Sequence, residues 1–517
     1  MKKLKLVCVA IAMACAAPTL AGGLLTNTNQ HVAFNRMMSR EASIGIDGVY
    51  YNPAGVVFMG EGHHLAINWQ LAFQTRTINN DYALFTNNVN NPITPRDFKG
   101  TAFAPVIPSF QYAYNKGKWS FQASFALTGG GGKCTFDDGL GSFEKIVAET
   151  AIAACQLAGA VDQVAGAYNV PAIFSSNQCF GTEGKYSYNS YMHGRQYYYG
   201  LSAGAAYKFS DNFSAFLGVR GVYALTNYYG YVENIQVGQM PLYKVLNPAK
   251  ESSANIELSC DQSGVGFTPI IGVDYKTGRW NFSAKYEFKT RIRLKNKSVN
   301  QIPSIGNLPD NLRNAYIANG VPEAAADAIL SNPKIQGAMV ALKTQFDSKI
   351  DGAIGEYEDD KKIAGDIPAY LALGVGYSPV DAVRVNVGFH WFDDKNATSY
   401  NNRNKELKRG TLEYNAGVEV DVNKKITLST GWQNTNYGLS DEYMDDKSFV
   451  VSSNSVAIGG VYHINKKMDL NVAYFHTFYQ HKKTTEPVQL TAEKSINYSS
   501  DYTRNNNVFA VGLDINF

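Results

Sequence analysis

The chain has 517 residues, and 18% of them are charged, which is below the roughly 25% usual for soluble domains. Its mean hydropathy is −0.23 although 45% of the residues are apolar, so apolar residues are dispersed among polar ones, and a helical membrane protein, which needs spans of about 20 mostly apolar residues, is excluded. The net charge of +3 does not indicate a nucleic-acid-binding surface, and a large soluble all-β protein or a membrane β-barrel remains.

The first residues show the pattern of a secretory leader. Lysines near the start precede an apolar stretch from Leu6 to Ala17, and small residues follow as far as Ala21. We expect residues 1–21 to be a signal peptide that is removed on export. Lipid attachment at Cys15 is disfavoured because the usual leucine is missing before it.

Four cysteines remain after the leader. An even number of cysteines in an exported chain favours two disulfides, and three connectivities are possible. The alternative is four buried free thiols. These disulfide candidates are Cys134, Cys155, Cys179 and Cys260.

From His63 onward the chain repeats stretches of about ten alternating apolar and polar residues. In the last stretch, Phe509, Val511 and Leu513 alternate with Ala510, Gly512 and Asp514. Period two places the two sets on opposite faces of a strand. The apolar face suits lipid or a second sheet. Charged residues on the other face and aromatic residues at strand ends favour lipid outside and a watery lumen inside.

The alternation predicts fourteen strands, an even number as single-chain outer-membrane barrels require. Short turns alternate with long connections, so we expect the long loops outside and both chain ends at the periplasmic side. The two longest loops, 130–194 and 294–366, contain helical apolar spacing. The predicted strand spans are 63–76, 104–115, 119–129, 195–208, 213–232, 265–276, 280–293, 367–378, 382–394, 410–421, 425–436, 453–464, 468–482 and 504–517.

Residues 22–62 do not fit the barrel pattern. They are too irregular for strands and too apolar for a free tail. A fourteen-strand barrel encloses more space than its own side chains fill. We therefore predict an all-β transmembrane antiparallel barrel over residues 63–517, with residues 22–62 as a hatch, or plug, in its lumen.

The motif just before the first strand carries a family resemblance. Asn52-Pro53-Ala54 resembles the hatch motif of the outer-membrane long-chain fatty-acid transporter family (FadL type), and it lies about ten residues before the first strand. Supporting matches are Glu41–Gly48, Gly218–Ala224, Leu371–Pro379 and the aromatic terminus. The resemblance covers essentially the whole mature chain.

The resemblance implies passive uptake of hydrophobic molecules. Ligand would be captured in an apolar groove between outer loops, pass to a site in the barrel that the hatch lines or blocks, and leave sideways at a kink in strand three. The hatch candidates for apolar ligand contact are Leu24, Leu25 and Phe34, and the alternative is that they only fill the plug. The glycine run at the end of predicted strand three indicates either a break in pairing with strand four or a flexible loop start; these lateral-opening candidates are Gly129, Gly130, Gly131 and Gly132.

Some inward-facing positions depart from a polar lumen. Five are apolar and either line a ligand path or contact the hatch: Ile107, Phe216, Val222, Phe392 and Phe475. Three are basic, and a fatty acid needs such a cation for its carboxylate. These head-group candidates are Arg220, Lys285 and Arg384, and the alternative is pairing with lumen carboxylates. The resemblance implies a basic residue within residues 225–231, but this stretch contains none. A neutral ligand is therefore as compatible with the sequence as a fatty acid.

The sequence thus predicts a monomeric channel of the bacterial outer membrane for fatty acids or other hydrophobic small molecules, in contact with membrane lipid and lipopolysaccharide. No catalytic triad or phosphate loop is found, and neither an enzyme, a cofactor, a nucleic-acid partner nor a metal is expected. The acidic clusters 356–360 and 441–446 favour a solvated loop face over a Ca²⁺ site. The rival functions are a surface binding or adhesion protein anchored by its barrel, and a water-filled porin.

Overall fold

The computed structural model describes residues 24–303, 308–340, 343, 355–490 and 494–517. The predicted leader, residues 1–21, lies outside them. Within them no helix combines the length and the apolar character needed to cross a membrane.

Fourteen long antiparallel strands pair in chain order within the described residues. The ring closes because the first strand pairs with both the second and the last. The predicted fourteen-strand barrel is therefore confirmed. The wall strands are β1 (Gly62–Tyr82), β2 (Arg96–Lys116), β3 (Trp119–Phe136), β4 (Tyr186–Lys208), β5 (Phe213–Val237), β7 (Ile256–Thr277), β8 (Trp280–Glu287), β11 (Tyr370–Val380), β12 (Val383–Phe392), β13 (Thr411–Asn423), β14 (Ile426–Asn436), β15 (Ser453–Asn465), β16 (Met468–Tyr479) and β18 (Ser495–Asn516).

Short strands extend the sheet on the side of the long loops. There β9 continues the line of β8 and pairs with β7, and β17 pairs with the outer part of β18. These short strands are β6 (Met240–Pro241), β9 (Arg293–Gln301), β10 (Lys362–Ala364) and β17 (Lys482–Gln489).

Side chains alternate between the two faces of the wall as predicted. Along β5, Leu217 and Val219 are exposed on the outer face, whereas Arg220 and Val222 are buried on the inner face. Exposed Val, Leu, Ile and aromatic side chains recur on the outer face around the ring. Such a face suits lipid, because contact with hydrocarbon removes apolar area from water.

The long loops carry helices that cover the outer end of the barrel. Their apolar faces join one large buried cluster with the outer ends of the strands. Phe143 and Val147 of the predicted loop helix are buried there, so that helix is confirmed. The loop helices are α3 (Gly141–Gly166), α4 (Tyr243–Leu246), α5 (Leu308–Ala318), α6 (Glu323–Leu330) and helical residues 333–340, with short 3-10 turns at Ala83–Asn87, Glu251–Ala254, Asp394–Asn396 and Tyr400–Glu406.

The N-terminal segment, residues 24–61, contains two short helices, α1 (Val32–Met37) and α2 (Gly48–Tyr51), and a 3-10 turn at Gly55–Phe58. The His31 side chain accepts a hydrogen bond from the Ala33 N–H and caps α1, and Met38 ends the helix in the left-handed region. Both helices are fully buried against inward-facing residues of the wall.

Candidate functional site

Strand β3 is paired with β2 near both ends but not in its middle. Ala102 pairs with Cys134, and Phe110 pairs with Phe125. Between these two pairs, residues 103–109 of β2 and 126–133 of β3 form no hydrogen-bond ladder with each other. The prediction that the glycine run ends this strand is wrong, because β3 continues to Phe136. The predicted break with the fourth strand is also wrong: pairing with β4 continues through two bulges, and the interruption faces β2.

Two local features of the sequence explain the interruption. Gly130 and Gly132 adopt φ of +72° and +76° at the bulges, a left-handed conformation that glycine allows without strain. Opposite them, Pro105 and Pro108 of β2 have no N–H to donate to a neighbouring strand. The prolines are the signal that sequence reasoning missed, since a break needs both strands to give up their hydrogen bonds.

The start of the N-terminal segment is paired with β3 at this interruption. Thr26 forms an antiparallel bridge with Gly129, and the Gly130 N–H donates to the Leu25 carbonyl at 3.2 Å. Asn27 donates from its backbone to Thr128 at 3.0 Å and from its side chain to the Gly130 carbonyl at 2.7 Å. The segment therefore occupies hydrogen-bonding positions that the wall leaves open.

Apolar side chains surround the interruption on the inner side. The predicted positions Ile107 and Phe475 share one cluster with Met38 of the N-terminal segment, and Ala104 and Leu127 pack on it. The structure thus brings together two of the five predicted inward-facing apolar residues. They come from β2 and β16, which flank the closing strand pair β1 and β18.

A cavity of about 430 Å³ lies beneath the loops at the outer end of the barrel. We call it the outer cavity. The loops after β9, β12 and β14 and the outer parts of β4, β5 and β7 line it. Its volume is within the range of about 300–1,000 Å³ typical of small-molecule sites.

The predicted residues Leu24 and Leu25 line the outer cavity. Leu25 packs on a buried apolar cluster that includes Tyr198, Leu294 and the predicted residue Val222. Because Leu25 also accepts the hydrogen bond from Gly130, the same short stretch contacts the cavity and the interruption of the wall.

The other predicted apolar residues lie elsewhere. Phe34 stacks on Tyr51 within the N-terminal segment, with ring centroids 5.3 Å apart. Phe216 packs in a cluster with Ala54 and Val57 of that segment, and Phe392 stacks on Tyr370 at 4.6 Å. The structure does not bring these three together.

The predicted head-group cations all have carboxylate partners in the wall. Arg220 and Lys285 bind Glu287 at 2.6 and 3.0 Å, and the Lys285 ammonium also donates to the Tyr50 carbonyl of the N-terminal segment. Arg384 binds Asp421 at 2.6 Å and Glu419 at 3.4 Å. Alternation identifies inward-facing cations but carries no information on which carboxylate faces them.

Two lumen arginines were missed by sequence reasoning. Arg76 of β1 and Arg504 of β18 are register partners, and both are buried. Their guanidinium groups stand over the rings of Phe449 and Tyr479 at 5.5 and 5.0 Å. Both are the terminal residues of predicted strands, 63–76 and 504–517, where the period-two signal is weakest.

Each residue of the Asn52-Pro53-Ala54 motif is bound to a different wall strand. The Asn52 side chain donates to Asp274 of β7 at 2.5 Å and caps the Gly55 N–H. The Pro53 carbonyl accepts from Gln122 of β3, and the Ala54 carbonyl accepts from Ser214 of β5, both at 2.7 Å. The motif thus attaches the N-terminal segment to three strands close to the short-turn end.

All four predicted disulfide cysteines are free and buried, which corrects the prediction of two disulfides. Cys134 and Cys260 lie on β3 and β7, which are separated by β4 and β5, so a spacing of about 4.8 Å per strand puts them too far apart to bridge. In the loops, the Cys155 thiol donates to the Phe180 carbonyl, and burial raises the pKa of both the Cys155 and Cys179 thiols.

The outer cavity is rich in carboxylates that sequence reasoning did not connect. Burial raises the pKa of Glu356 to about 7 and that of Asp394 to about 6. Asp394 accepts hydrogen bonds from the N–H groups of Leu24 and Thr411 at 3.3 and 2.9 Å. In the part of the chain that the structure describes, no group of three or more His, Cys, Asp or Glu residues is arranged to hold a metal ion.

A closed antiparallel barrel of fourteen strands with an apolar outer face is the architecture of an outer-membrane β-barrel. Similar solved structures are a Pseudomonas aeruginosa FadL homologue (TM-score 0.59, 14% identity, 96% of this chain and 100% of that one) and the Pseudomonas putida toluene transporter TodX (TM-score 0.50, 12% identity, 96% and 100%). The chain has the fold of the FadL-type outer-membrane transporters. No family model and no curated protein matches it.

Proposed function

We propose that this chain is a channel of the bacterial outer membrane that admits hydrophobic small molecules by passive diffusion. The observation that carries the proposal is the interruption between β2 and β3, which the start of the N-terminal segment bridges beside the outer cavity. The similar P. putida structure is named a toluene transporter, which supports a hydrophobic substrate.

Capture takes place in the outer cavity. Its apolar floor, formed by Leu25, Tyr198 and Leu294, replaces water around the ligand. Each methylene buried there contributes on the order of 0.8 kcal/mol. The driving force across the membrane is the concentration gradient.

Residues 22–62 act as the hatch. Their described part is mostly buried, and the Asn52-Pro53-Ala54 motif and ion pairs through Arg36 and Arg40 attach it to the wall. The gate is the stretch from Leu25 to Asn27, because it contacts the cavity at one end and β3 at the other. Displacing this stretch joins the cavity to the interruption.

The ligand leaves sideways between β2 and β3. Because β2 and β3 are not paired along these stretches, the ligand passes without breaking a hydrogen-bond ladder between them. Ala104, Ile107 and Leu127 provide an apolar surface there. A lateral route keeps an apolar molecule out of periplasmic water, whose contact with apolar surface is unfavourable.

Long-chain fatty acids and neutral hydrocarbons both fall within this substrate class. A carboxylate directed to Arg220, Lys285 or Arg384 would compete with the wall carboxylates that already hold those cations. The proposal is therefore stated for hydrophobic molecules as a class.

The test replaces both prolines, Pro105→Thr and Pro108→Thr, to give β2 the N–H groups that a complete ladder with β3 needs. Uptake of labelled toluene and labelled oleate is measured in cells with the native gene, the double variant or no gene. We expect the double variant to lose most of the gene-dependent uptake, because the lateral exit is closed.

The matched control is Pro379→Thr, an exposed proline of wall strand β11 far from the interruption, which should retain uptake. Equal uptake of both probes with and without the gene overturns the proposal and favours the surface-binding alternative. Large steady ion currents through the intact chain in planar bilayers overturn it in favour of a porin.

A further inference from the structure

The charged residues that line the outer cavity are predominantly acidic. Arg403 is the one basic residue among the lining side chains that the structure describes. The acidic ones are Glu356, Asp366, Asp394, Glu406, Glu442 and Asp445.

Two of these carboxylates are neutralised by the protein itself. Asp366 binds Arg293 at 2.8 Å, with Lys289 at 3.9 Å. Asp445 binds Lys447 at 3.3 Å and lies 3.9 Å from Arg403. The cavity's own arginine is thus directed to a carboxylate that already has a lysine.

Two other carboxylates of the cavity, the buried Asp394 and the partly buried Glu356, have no cation in contact among the described residues. Asp394 is 3% exposed, and its carboxylate is hydrogen-bonded to the N–H groups of Leu24 and Thr411 and to the Thr411 side chain. Among the described residues, the Glu356 carboxylate forms neither a hydrogen bond nor an ion pair, although it lines the cavity and its burial is sufficient to raise its pKa to about 7. A carboxylate removed from water is costly unless a cation pairs with it in direct contact, and Arg403, Lys447 and Lys361 act on Glu356 only from a longer distance.

Tyrosine rings complete the lining. Tyr228 and Tyr357 lie with ring centroids 5.6 Å apart. Two further lining rings already bind cations of the protein through their faces, since Arg403 stands 4.8 Å from the Tyr443 ring and Lys361 stands 5.5 Å from the Tyr400 ring. Aromatic faces next to carboxylates are the usual surroundings of bound ammonium groups.

We propose that the outer cavity is a binding site for hydrophobic cations, namely aromatic or aliphatic molecules that carry an ammonium group, and that it discriminates against carboxylates. The ammonium group lies against Glu356 and Asp394, and the apolar body lies on the floor around Leu25 and Leu294. The inference deepens the proposed function, and it rests on that function for its place in the uptake path.

The same charges disfavour a fatty acid at this site. A ligand carboxylate would add a negative charge to a cavity whose one lining arginine already faces Asp445. Like charges in a partly desolvated site repel each other and favour protonation of one of them. A neutral ligand avoids this cost but gains no ion pair.

The experiment uses the purified full-length protein in lipid nanodiscs and three probes that differ at one group: benzyltrimethylammonium, benzyl alcohol and phenylacetate. Binding is measured by calorimetry with the native chain, Glu356→Gln, Asp394→Asn and the control Asp381→Asn, which removes an exposed carboxylate near a short turn. Heat-modifiable gel mobility confirms that each variant is folded.

We expect the native chain to bind the cation about ten-fold or more tightly than phenylacetate, as one retained ion pair or cation–π contact of about 1.4 kcal/mol would require. Glu356→Gln and Asp394→Asn should each weaken cation binding and leave benzyl alcohol binding unchanged. Cation binding should also strengthen from pH 6 to pH 8, because Glu356, faced by Arg403, Lys447, Lys361 and Asp445, must lose its proton to pair with the probe.

Equal or tighter binding of phenylacetate, or cation binding unchanged in both cavity variants, overturns the inference. Its failure is distinct from failure of the proposed function. Gene-dependent toluene uptake without preferential cation binding would support the proposed channel and contradict the cation site. Preferential cation binding without gene-dependent toluene uptake would support the cation site and contradict the proposed channel.

Discussion

Glu419, on the inner face of β13, lies between three arginines. Arg36 and Arg40 of the N-terminal segment and Arg384 of β12 all bind its carboxylate, and Arg40 also binds Asp47 at 2.7 Å. Glu419 is buried, as are both arginines of the segment. Glu419 thus shares with Asp47 and Asp421 the compensation of three positive charges, and it joins the segment to the wall.

Replacing this carboxylate, as Glu419→Gln, should destabilise the folded barrel. Breaking a buried ion pair costs about 3–5 kcal/mol, because the remaining charges lose their compensation. Urea unfolding followed by gel mobility in detergent measures the change.

The matched control for that measurement is Asp381→Asn, which breaks an exposed pair with Arg279. We expect a change of about 0–1 kcal/mol there, since surface ion pairs contribute little. A Glu419→Gln variant as stable as this control would contradict a structural role for the arginine cluster.

At the scale of single elements, β3 shows what alternation can and cannot predict. Its lower half alternates cleanly from Phe121, and the sequence predicts it correctly. Beyond Leu127 the pattern fails because the glycines contribute no side chain and because loop helices cover the outer part of the wall. The strand nevertheless continues to Phe136, held by backbone hydrogen bonds to β4 that leave no periodic signal.

Loss of alternation near the long loops also made other strands longer than the sequence predicts. Strand β18 begins at Ser495, whereas alternation predicted residue 504, because β17 pairs with its outer part above the lipid-facing band. Lipid on one side and water on the other produce alternation. Where both faces meet protein, either kind of residue is accepted.

The pairing between β3 and the N-terminal segment can be tested at Gly129. A Cβ built there would stand 2.6 Å from the Leu25 carbonyl oxygen, closer than real contacts allow. Gly129→Ala should therefore push the segment away and weaken the backbone hydrogen bonds of Asn27 and Gly130. Each such bond contributes about 0.5–1.5 kcal/mol, so amide exchange over residues 24–31 should be roughly ten-fold faster by mass spectrometry.

Gly221→Ala is the control for that exchange experiment. Its Cβ would meet the nearest atom, in Phe267 on the outer face, at an ordinary 3.7 Å. Exchange over residues 24–31 should match the native rate. Unchanged exchange in Gly129→Ala as well would mean that the segment is not held at the glycine run.

For the whole molecule, the segment and the barrel wall form one buried unit. Its hydrogen bonds and ion pairs reach inward-facing residues from β1 around the ring to β16 and β18. If this segment is the hatch, removing residues 24–58 leaves a ring of fourteen strands around a water-filled lumen.

The deletion should raise single-channel ion conductance in planar bilayers at least about ten-fold over the native chain, because a barrel of this size encloses an aqueous channel once its interior is empty. The deletion variant must first show the heat-modifiable mobility of a closed barrel. Equal conductance of the two proteins, with the variant folded, would contradict the hatch.

The number of strands, the alternation of short turns and long loops, and the inner or outer position of most side chains could be predicted from the residues alone. They follow because successive side chains of a strand alternate between lipid on one face and the lumen on the other. This alternation can be recognised within a short stretch of sequence. The folded structure is needed to see that the prolines of β2 lie opposite the glycines of β3, that Glu419 binds three arginines, and that carboxylates from three loops line one cavity. Those facts depend on strand register and barrel closure. These bring together residues of neighbouring strands and, for Arg36 and Glu419, residues hundreds of positions apart, and the local sequence pattern around each residue does not indicate its partner.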